Sequence, residues 1–205
     1  MLFYETIYPQ TLGLLKKLQK EDRFSDLRLV GGTSLALQIG HRISVDLDLF
    51  GELKGDTISL NKKLTALGQT KSIQQTENIH IYSIDNIKVD IVNYPYPWLK
   101  PALNIDGITL ATIEDIAAMK LAAITGRGSK KDFIDIYFIL QKYALHEILK
   151  FYEEKYIDGS SFQVLRSLAY FDDAEEEPMP KMLINISWQE VKKTISNTLK
   201  THLGK

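Results

Sequence analysis

The chain has 205 residues, of which 44% are hydrophobic and 25% charged, and its 25 basic and 26 acidic side chains give a formal net charge of −1. This composition excludes a disordered chain and allows one large or two small packed domains. It neither requires a nucleic-acid partner nor excludes a local basic patch that would hold one. The absence of cysteine excludes disulfide bonds, thiolate catalysis and cysteine-bound zinc.

The amino-terminal residues 1–6 lack the basic region and the long apolar core of a signal peptide. No apolar run in the chain approaches the roughly 20 residues that a membrane-spanning helix needs. We therefore expect a soluble, cytoplasmic protein without a membrane partner.

Hydrophobic spacing in the first half of the chain predicts a small mixed sheet with helices. Thr33 is the predicted cap of the second helix, and Gly40 ends it. Asp85 and Asn86 suit a tight hairpin turn between the last two strands. The predicted elements are helices at 9–20, 33–39 and 58–67 and strands at 27–30, 45–50, 79–84 and 87–92.

A proline-rich segment at 94–101 interrupts this pattern and predicts a boundary between domains 1–100 and 101–205. The second domain is predicted to be a helical bundle or cap. Thr112 caps its first helix, and Asp115 lies in the first turn, where a negative charge favours the helix dipole. The acidic run 172–177 predicts a solvated loop. The predicted helices are 112–124, 132–142, 146–156, 160–170 and 188–203.

Gly31, Gly32, Thr33 and Ser34 follow a predicted strand and open a helix. Main-chain N–H groups and the helix dipole bind phosphate in this setting, glycine lets the ligand approach closely, and the hydroxyls add donors. An ordinary strand-to-helix turn with a Ser or Thr cap explains the same four residues. These four residues therefore form either a phosphate-binding turn or an ordinary helix start.

Asp46 and Asp48 alternate with leucines in a predicted strand, so both carboxylates lie on one face. Two adjacent carboxylates repel each other unless a cation lies between them, which indicates a divalent metal. Asp90 on a later strand is the candidate third ligand, with an exposed strand carboxylate as the alternative. Arg42 is either a further phosphate contact or an ion-pair partner of Asp46 or Asp48.

Lys120 lies in an apolar helical run, and Arg127 follows two turns later on nearly the same face. Both are candidates to reach a triphosphate, although a lone helix lysine is more often a surface side chain with its ammonium group in water. Asp132 and Asp135 share a face of the next helix. They either pair with Lys120 or Arg127 and fix them, or help to activate an acceptor hydroxyl. Lysines 130–131 add to this cationic cluster or mark a solvated helix start.

The glycine turn, the two-carboxylate strand and the charged helices together resemble the AbiEii/AbiGii toxin family. Its members are nucleotidyltransferase-like toxins of type IV toxin–antitoxin and abortive-infection systems. The chain departs from the Gly-Ser of the wider superfamily with Gly-Gly-Thr-Ser, which leaves open which hydroxyl contacts phosphate. The resemblance covers most of the chain and is carried by 31–37, 40–50, the Lys120-Arg127-Asp132-Asp135 spacing and 170–174.

The resemblance implies an α+β fold, with a polymerase-β-type nucleotidyltransferase sheet and flanking helices followed by a helical carboxy-terminal domain. It further implies roles for individual residues in metal binding, triphosphate binding and activity. These are Asp46 and Asp48 for metal, Gly32, Thr33 and Ser34 for triphosphate, and Lys120 and Asp135 for activity.

Together these features predict an enzyme dependent on Mg²⁺ or Mn²⁺ that moves a nucleoside monophosphate from an NTP to an acceptor hydroxyl. The expected acceptor is RNA such as tRNA, the expected outcome is growth inhibition, and a cognate antitoxin is an expected partner. Two alternatives stay open. One is a kinase-like phosphotransferase acting on a protein or small-molecule hydroxyl, and the other is a nucleotide-binding module without turnover.

Overall fold

A computed structural model describes residues 1–53 and 57–204, with only the main chain described for residues 57 and 58. The chain forms two compact units. The first contains Met1–Pro95 and Ala102–Ala111, and the second contains Tyr96–Pro101 and the residues from Thr112 onward. Within the described ranges, no helix is long and apolar enough to cross a membrane.

The first unit is built on one mixed sheet. Its strands in the described residues are β1 (Arg28–Leu29), β2 (Leu47–Gly51), β3 (Thr70–Gln75), β4 (Ile79–Ile84), β5 (Ile87–Asn93), β6 (Leu103–Ile105) and β7 (Ile108–Leu110). They lie in the order β3-β4-β5-β2-β1-β7-β6. The middle strand β2 is antiparallel to β1 and parallel to β5, and β1 is parallel to β7. The mixture of parallel and antiparallel pairs agrees with the expected fold class.

The hairpin between β4 and β5 follows from its two turn residues. Asp85 and Asn86 have φ values of 49° and 65°, the left-handed conformations that a two-residue hairpin turn needs and that Asp and Asn tolerate. The predicted turn is confirmed. Because buried and exposed residues alternate along β5, Val89 points into the core and Asp90 points to the other face.

Three α-helices accompany the sheet in the described part of the first unit: α1 (Pro9–Gln19), α2 (Gly31–Ile39) and α3 (Thr57–Thr65). α1 begins with proline, whose missing N–H costs nothing at the first helical position. α2 ends at Gly40, where φ is 71°. Aliphatic side chains from these helices and the central strands form much of the core, including Leu15, Leu37, Leu47, Leu49, Leu60, Val89 and Ile91.

The structure differs from the predicted elements in two respects. α2 begins at Gly31, with Val30 as the residue before it, so the prediction that Thr33 caps this helix is wrong. Strands β3, β6 and β7 lie outside the predicted set. Nearly all side chains of the edge strand β3 are exposed, so it has no hydrophobic alternation. β6 and β7 do alternate apolar and polar residues, but with three residues each they are too short for the alternation alone to predict a strand.

The second unit is helical. In its described residues the helices are α4 (Ile113–Gly126), α5 (Lys130–Leu140), α6 (Leu145–Lys155), α7 (Ser161–Leu168), α8 (Asp172–Glu175) and α9 (Trp188–His202). Thr112 caps α4 as predicted, because its side chain accepts a hydrogen bond from the Asp115 main-chain N–H. The unit's core contains Ile116, Leu121, Phe133, Ile136, Ile148, Val164, Leu168, Val191 and Ile195.

A buried ion pair joins the proline-rich segment to the helices. Lys155 and Asp115 have fully buried side chains, and the Lys155 Nζ lies 2.8 Å from Asp115 Oδ1. The same ammonium donates to the Pro97 carbonyl oxygen at 2.7 Å and lies 4.6 Å from the centre of the Trp98 ring. The Leu99 N–H donates to Asp115 at 3.0 Å. Asp115 therefore does more than complement the helix dipole.

The acidic run begins with the helix α8 at Asp172–Glu175, so the prediction of a loop is wrong there, and two of its side chains have partners within the unit. Glu175 accepts a hydrogen bond from Trp188 Nε1 at 2.9 Å and pairs with Lys192 at 2.8 Å. Glu177 accepts the main-chain N–H of Lys130 at 2.8 Å, and the Lys130 ammonium donates to the Glu175 carbonyl oxygen at 3.0 Å. Lys130 is buried, so it is not part of a solvated helix start.

Candidate functional site

The amino end of α2 has no side-chain cap, because the residue before it is Val30. The first hydrogen bond of the helix runs from the Ser34 N–H to the Val30 carbonyl oxygen. The preceding N–H groups of the first turn lie where a helix has no internal acceptors. Gly31 has a φ of +66°, and a Cβ on it would overlap the Asp48 carboxylate. A glycine is therefore required where the helix end meets this carboxylate.

The two hydroxyls of the glycine turn are buried and engaged within the unit. Thr33 donates to the Asp46 carbonyl oxygen, and its Oγ1 lies 2.8 Å from Ser44 Oγ. The Ser34 hydroxyl accepts from Gln38 Nε2 at 3.1 Å. Thr33 thus attaches α2 to the residue that precedes β2, and the main-chain N–H groups remain the donors that the sequence pattern assigns to phosphate.

Arg42 is buried, and its guanidinium lies against Gly32, since a Cβ on Gly32 would overlap Arg42 Nη2. Its Nη1 donates to the Ile43 carbonyl oxygen at 3.2 Å. The structure therefore places a cationic side chain beside the glycine turn.

The sheet register brings two of the predicted carboxylates together. Asp48 on β2 lies directly opposite Asp90 on the parallel strand β5. Leu47 and Val89 point into the core, so both carboxylates lie on the opposite face of the sheet. Asp46 lies one residue before β2, half-buried. The alternation in the sequence predicts that Asp90 faces away from the core, and the strand register adds that it lies beside Asp48.

The Asp90 carboxylate has one oxygen paired and one oxygen unsatisfied. Its Oδ2 lies 2.6 Å from Lys88 Nζ, whereas its Oδ1 is buried without a hydrogen-bond partner. A buried polar atom without a partner is costly and is often explained by an ion or a water. In the described part of the chain, no three acidic or histidine side chains are grouped closely enough to hold a metal by themselves. The structure therefore places Asp48 beside Asp90, but Asp46 does not complete a three-ligand metal site with them in the described residues.

In the second unit, the Lys120 ammonium lies between two carboxylates. Its Nζ is 2.8 Å from Asp132 Oδ1 and 2.5 Å from Asp135 Oδ2, and both carboxylates are fully buried. The lysine side chain is only 7% exposed, so it is not a surface lysine with its ammonium in water. Of the two alternatives for Asp132 and Asp135, the structure shows pairing, because both carboxylates contact the Lys120 ammonium.

Asp132 also holds Arg127. Arg127 Nε lies 3.1 Å from Asp132 Oδ2, and the Ser129 hydroxyl donates to the same oxygen at 2.5 Å. Burial by itself raises the pKa of Asp132, but the Lys120 charge and the hydrogen bonds from Arg127, Lys120 and Ser129 outweigh it and lower the pKa to about 2. Asp132 is therefore an anion at neutral pH that fixes two cationic side chains.

Sequence reasoning overlooked the structural role of Lys155. The signal was present, because Lys155 lies three residues after Tyr152 and seven after Ile148, on the buried face of α6. A lysine on an apolar helical stripe indicates a buried partner, since an unpaired buried ammonium is very costly.

Two solved structures show the same fold. JHP933 from Helicobacter pylori superposes with a TM-score of 0.60 at 18% identity, over 97% of this chain and 95% of that chain. MenT4, a nucleotidyltransferase toxin from Mycobacterium tuberculosis H37Rv, has a TM-score of 0.59 at 16% identity, over 91% of this chain and 80% of that chain. At these identities the likeness shows that the chain shares the fold of both proteins.

The model of the family described as "Nucleotidyl transferase AbiEii toxin, Type IV TA system" matches residues 13–201. The chain therefore belongs to the AbiEii nucleotidyltransferase toxin family, which confirms the resemblance seen in the sequence. An uncharacterised protein of Aquifex aeolicus (strain VF5) is 35% identical over 206 residues, covering 92% of this chain and 99% of that protein.

Proposed function

We propose that this toxin transfers a nucleoside monophosphate from an NTP to a hydroxyl of RNA, with tRNA as the expected acceptor and Mg²⁺ or Mn²⁺ as the metal. The transfer would inhibit growth in the cytoplasm until a cognate antitoxin counteracts it. The family supplies the toxin context, and the residues of this chain support the chemistry.

The carboxylate pair on β2 and β5 is the observation that carries the proposal. Asp48 and Asp90 lie side by side on one face, and the Asp90 Oδ1 is buried without a partner. Carboxylate oxygens are the ligands that Mg²⁺ prefers, so the donor set fits this ion, with Asp46 as the third expected ligand. When bound, the metal would neutralise charge on the triphosphate and on the attacking oxygen.

The amino end of α2 would hold the triphosphate. Its N–H groups at Gly31 and Gly32, which have no acceptor within the helix, and the positive end of its dipole favour an anion. Arg42 adds a positive charge beside Gly32. Thr33 holds the Asp46 main chain through its hydroxyl, so we assign it the positioning of Asp46 rather than direct phosphate contact.

The charged cluster of the second unit would contribute to activity through Lys120 and Asp135. The two buried carboxylates keep the Lys120 ammonium charged and fixed in position. Such preorganised charge stabilises a phosphoryl-transfer transition state without reorganisation during the reaction. Asp132 holds Arg127 as well as Lys120.

Purified protein, total tRNA, Mg²⁺ and NTP labelled at the α-phosphate or at the γ-phosphate test the proposal. Label from the α-phosphate should enter RNA, and Asp48→Asn and Asp90→Asn should each lower the rate at least about 100-fold, since each removes a charge at the reacting centre. Asp158→Asn changes an exposed carboxylate of the second unit and should leave the rate unchanged.

Transfer of γ-label instead would identify the kinase-like alternative. Absence of any transfer, together with NTP binding that does not respond to removal of Mg²⁺, would identify a binding module and refute the proposal.

A further inference from the structure

A groove of about 620 Å³ in the second unit lies where the carboxyl end of α4 meets α7. This volume is in the usual range of ligand pockets, roughly 300–1,000 Å³. Glycines form part of its wall, and no atom lies within 4 Å of where a Cβ on Gly126 would be. The polar groups along it come from the turn after α4, from α7 and from the residues after α7: Arg127, Gln163, Arg166, Ser167, Tyr170 and Asp173.

Two guanidinium groups line this groove from different elements. Arg127 is held through its Nε by the buried Asp132, while 64% of its side chain is exposed. Arg166 is exposed on α7 and forms no ion pair with any residue that the structure describes. One cation is thus fixed in orientation by a buried anion, and the other faces solvent.

Exposed aromatic rings flank Arg166. Phe162 lies one helical turn before it on α7 and is 73% exposed, and Tyr170 lies two residues after the end of the helix and is 51% exposed. The Tyr170 hydroxyl donates to Asp173 Oδ1 at 3.3 Å, which restrains the ring. Exposed rings beside arginines are typical of surfaces on which unpaired bases stack.

We propose that this groove binds single-stranded RNA, by stacking bases on Tyr170 in its wall and on Phe162 one helical turn from Arg166, and by pairing phosphates with Arg127 and Arg166. The inference rests on the proposed function, because it assigns a binding surface to the acceptor class named there.

The lining favours RNA over other ligands. A free phosphate has only acceptors, whereas the groove also presents the Asp173 carboxylate, which can accept from the N–H groups of a base edge. A protein partner would be expected to need a largely apolar centre, and the groove walls contain arginine, amide and hydroxyl groups instead.

The test is fluorescence anisotropy of a labelled single-stranded RNA of about 12 nucleotides, added to the full chain without NTP or Mg²⁺. Phe162→Ala should weaken binding roughly fivefold or more through loss of stacking, and Phe162→Tyr should restore it. Arg166→Ala should weaken binding and lower the slope of log K against log salt by roughly 0.7. Lys150→Ala removes an exposed charge from α6, outside the groove, and should change affinity much less.

Equal binding by wild type, Phe162→Ala and Arg166→Ala would overturn the inference, as would equal affinity for the same sequence as a duplex. Full competition by NTP would also overturn it and identify the groove as a nucleotide site. The labelling assay distinguishes an error in the assigned RNA-binding groove from an error in the proposed nucleotidyl transfer. If only the groove is wrong, both variants transfer label with an unchanged KM for RNA. If only transfer is wrong, RNA binding falls in the variants although the wild type labels no RNA.

Discussion

Replacing Asp132 by asparagine removes the anion that fixes Lys120 and Arg127 while keeping the shape of the side chain. The pKa of Asp132 falls from its ordinary value of 3.8 to about 2, which at about 1.4 kcal/mol per pKa unit corresponds to roughly 2.5 kcal/mol of folding stability. Asp135 still neutralises Lys120 in the variant. We therefore expect a loss of about 3 kcal/mol at neutral pH, at the lower end for a broken buried pair.

The sign of the pH dependence follows from the lowered pKa. Above about pH 4 the carboxylate is ionised in both the folded and the unfolded chain, and its stabilisation is fully present. As the pH falls from about 4 to about 2, the unfolded chain takes up the proton first, so the stabilisation is lost. The difference in the free energy of unfolding between wild type and Asp132→Asn should shrink across this window.

Urea unfolding followed by tryptophan fluorescence measures this difference in the relevant unit, because both tryptophans of the chain, Trp98 and Trp188, belong to the second unit. Asp158→Asn, at an exposed position, serves as the control and should lie close to wild type at every pH. An Asp132→Asn difference that stays constant down to about pH 2, or that is no larger than that of the control, would refute the reasoning.

Two further changes test other parts of the structure. Lys155→Met should lower the free energy of unfolding by about 3–5 kcal/mol, since it leaves Asp115 buried without its cation. In the same urea assay, Lys155→Met combined with Asp115→Asn should recover part of this loss. An effect below about 1 kcal/mol for the single variant would contradict the buried pair. Gly31→Ala should lower both the melting temperature and the NTP affinity, because its Cβ overlaps Asp48. Gly107 also has a positive φ but no atom within 4 Å of a Cβ, so Gly107→Ala should cost only the backbone strain of about 1–2 kcal/mol. Equal losses of stability for the two variants would show that the overlap is unimportant.

Much of the first unit is readable from the sequence because its signals are local. The Asp85-Asn86 turn has φ values that few other residues adopt easily, so the hairpin and its register follow from two adjacent side chains. The alternation along β5 places Asp90 opposite to the core-facing residues without knowledge of its neighbours. Strand β3 could not be predicted from the sequence, since an exposed edge strand has no buried face to create an alternation of apolar and polar residues.

The candidate site is only partly readable for the same reason. Thr33 looks like a helix cap because caps are defined by the residues that follow them, yet its hydroxyl bonds to Asp46, thirteen residues away. Lys120 looks like a surface lysine until Asp132 and Asp135 are placed on either side of its ammonium. Contacts between distant residues decide both cases.

The sequence by itself indicated the family, the glycine turn, the Asp46-x-Asp48 pattern and the spacing of the charged residues on α4 and α5, because each of these is a pattern along one stretch of the chain. Only the tertiary structure decided that Asp90 stands beside Asp48 and that the Asp90 Oδ1 is left without a partner. Likewise, the burial of Lys155 against Asp115 became visible only in the folded chain. The physical reason is that strand register and the solvation of a charge depend on which segments pack together, and no local pattern specifies this.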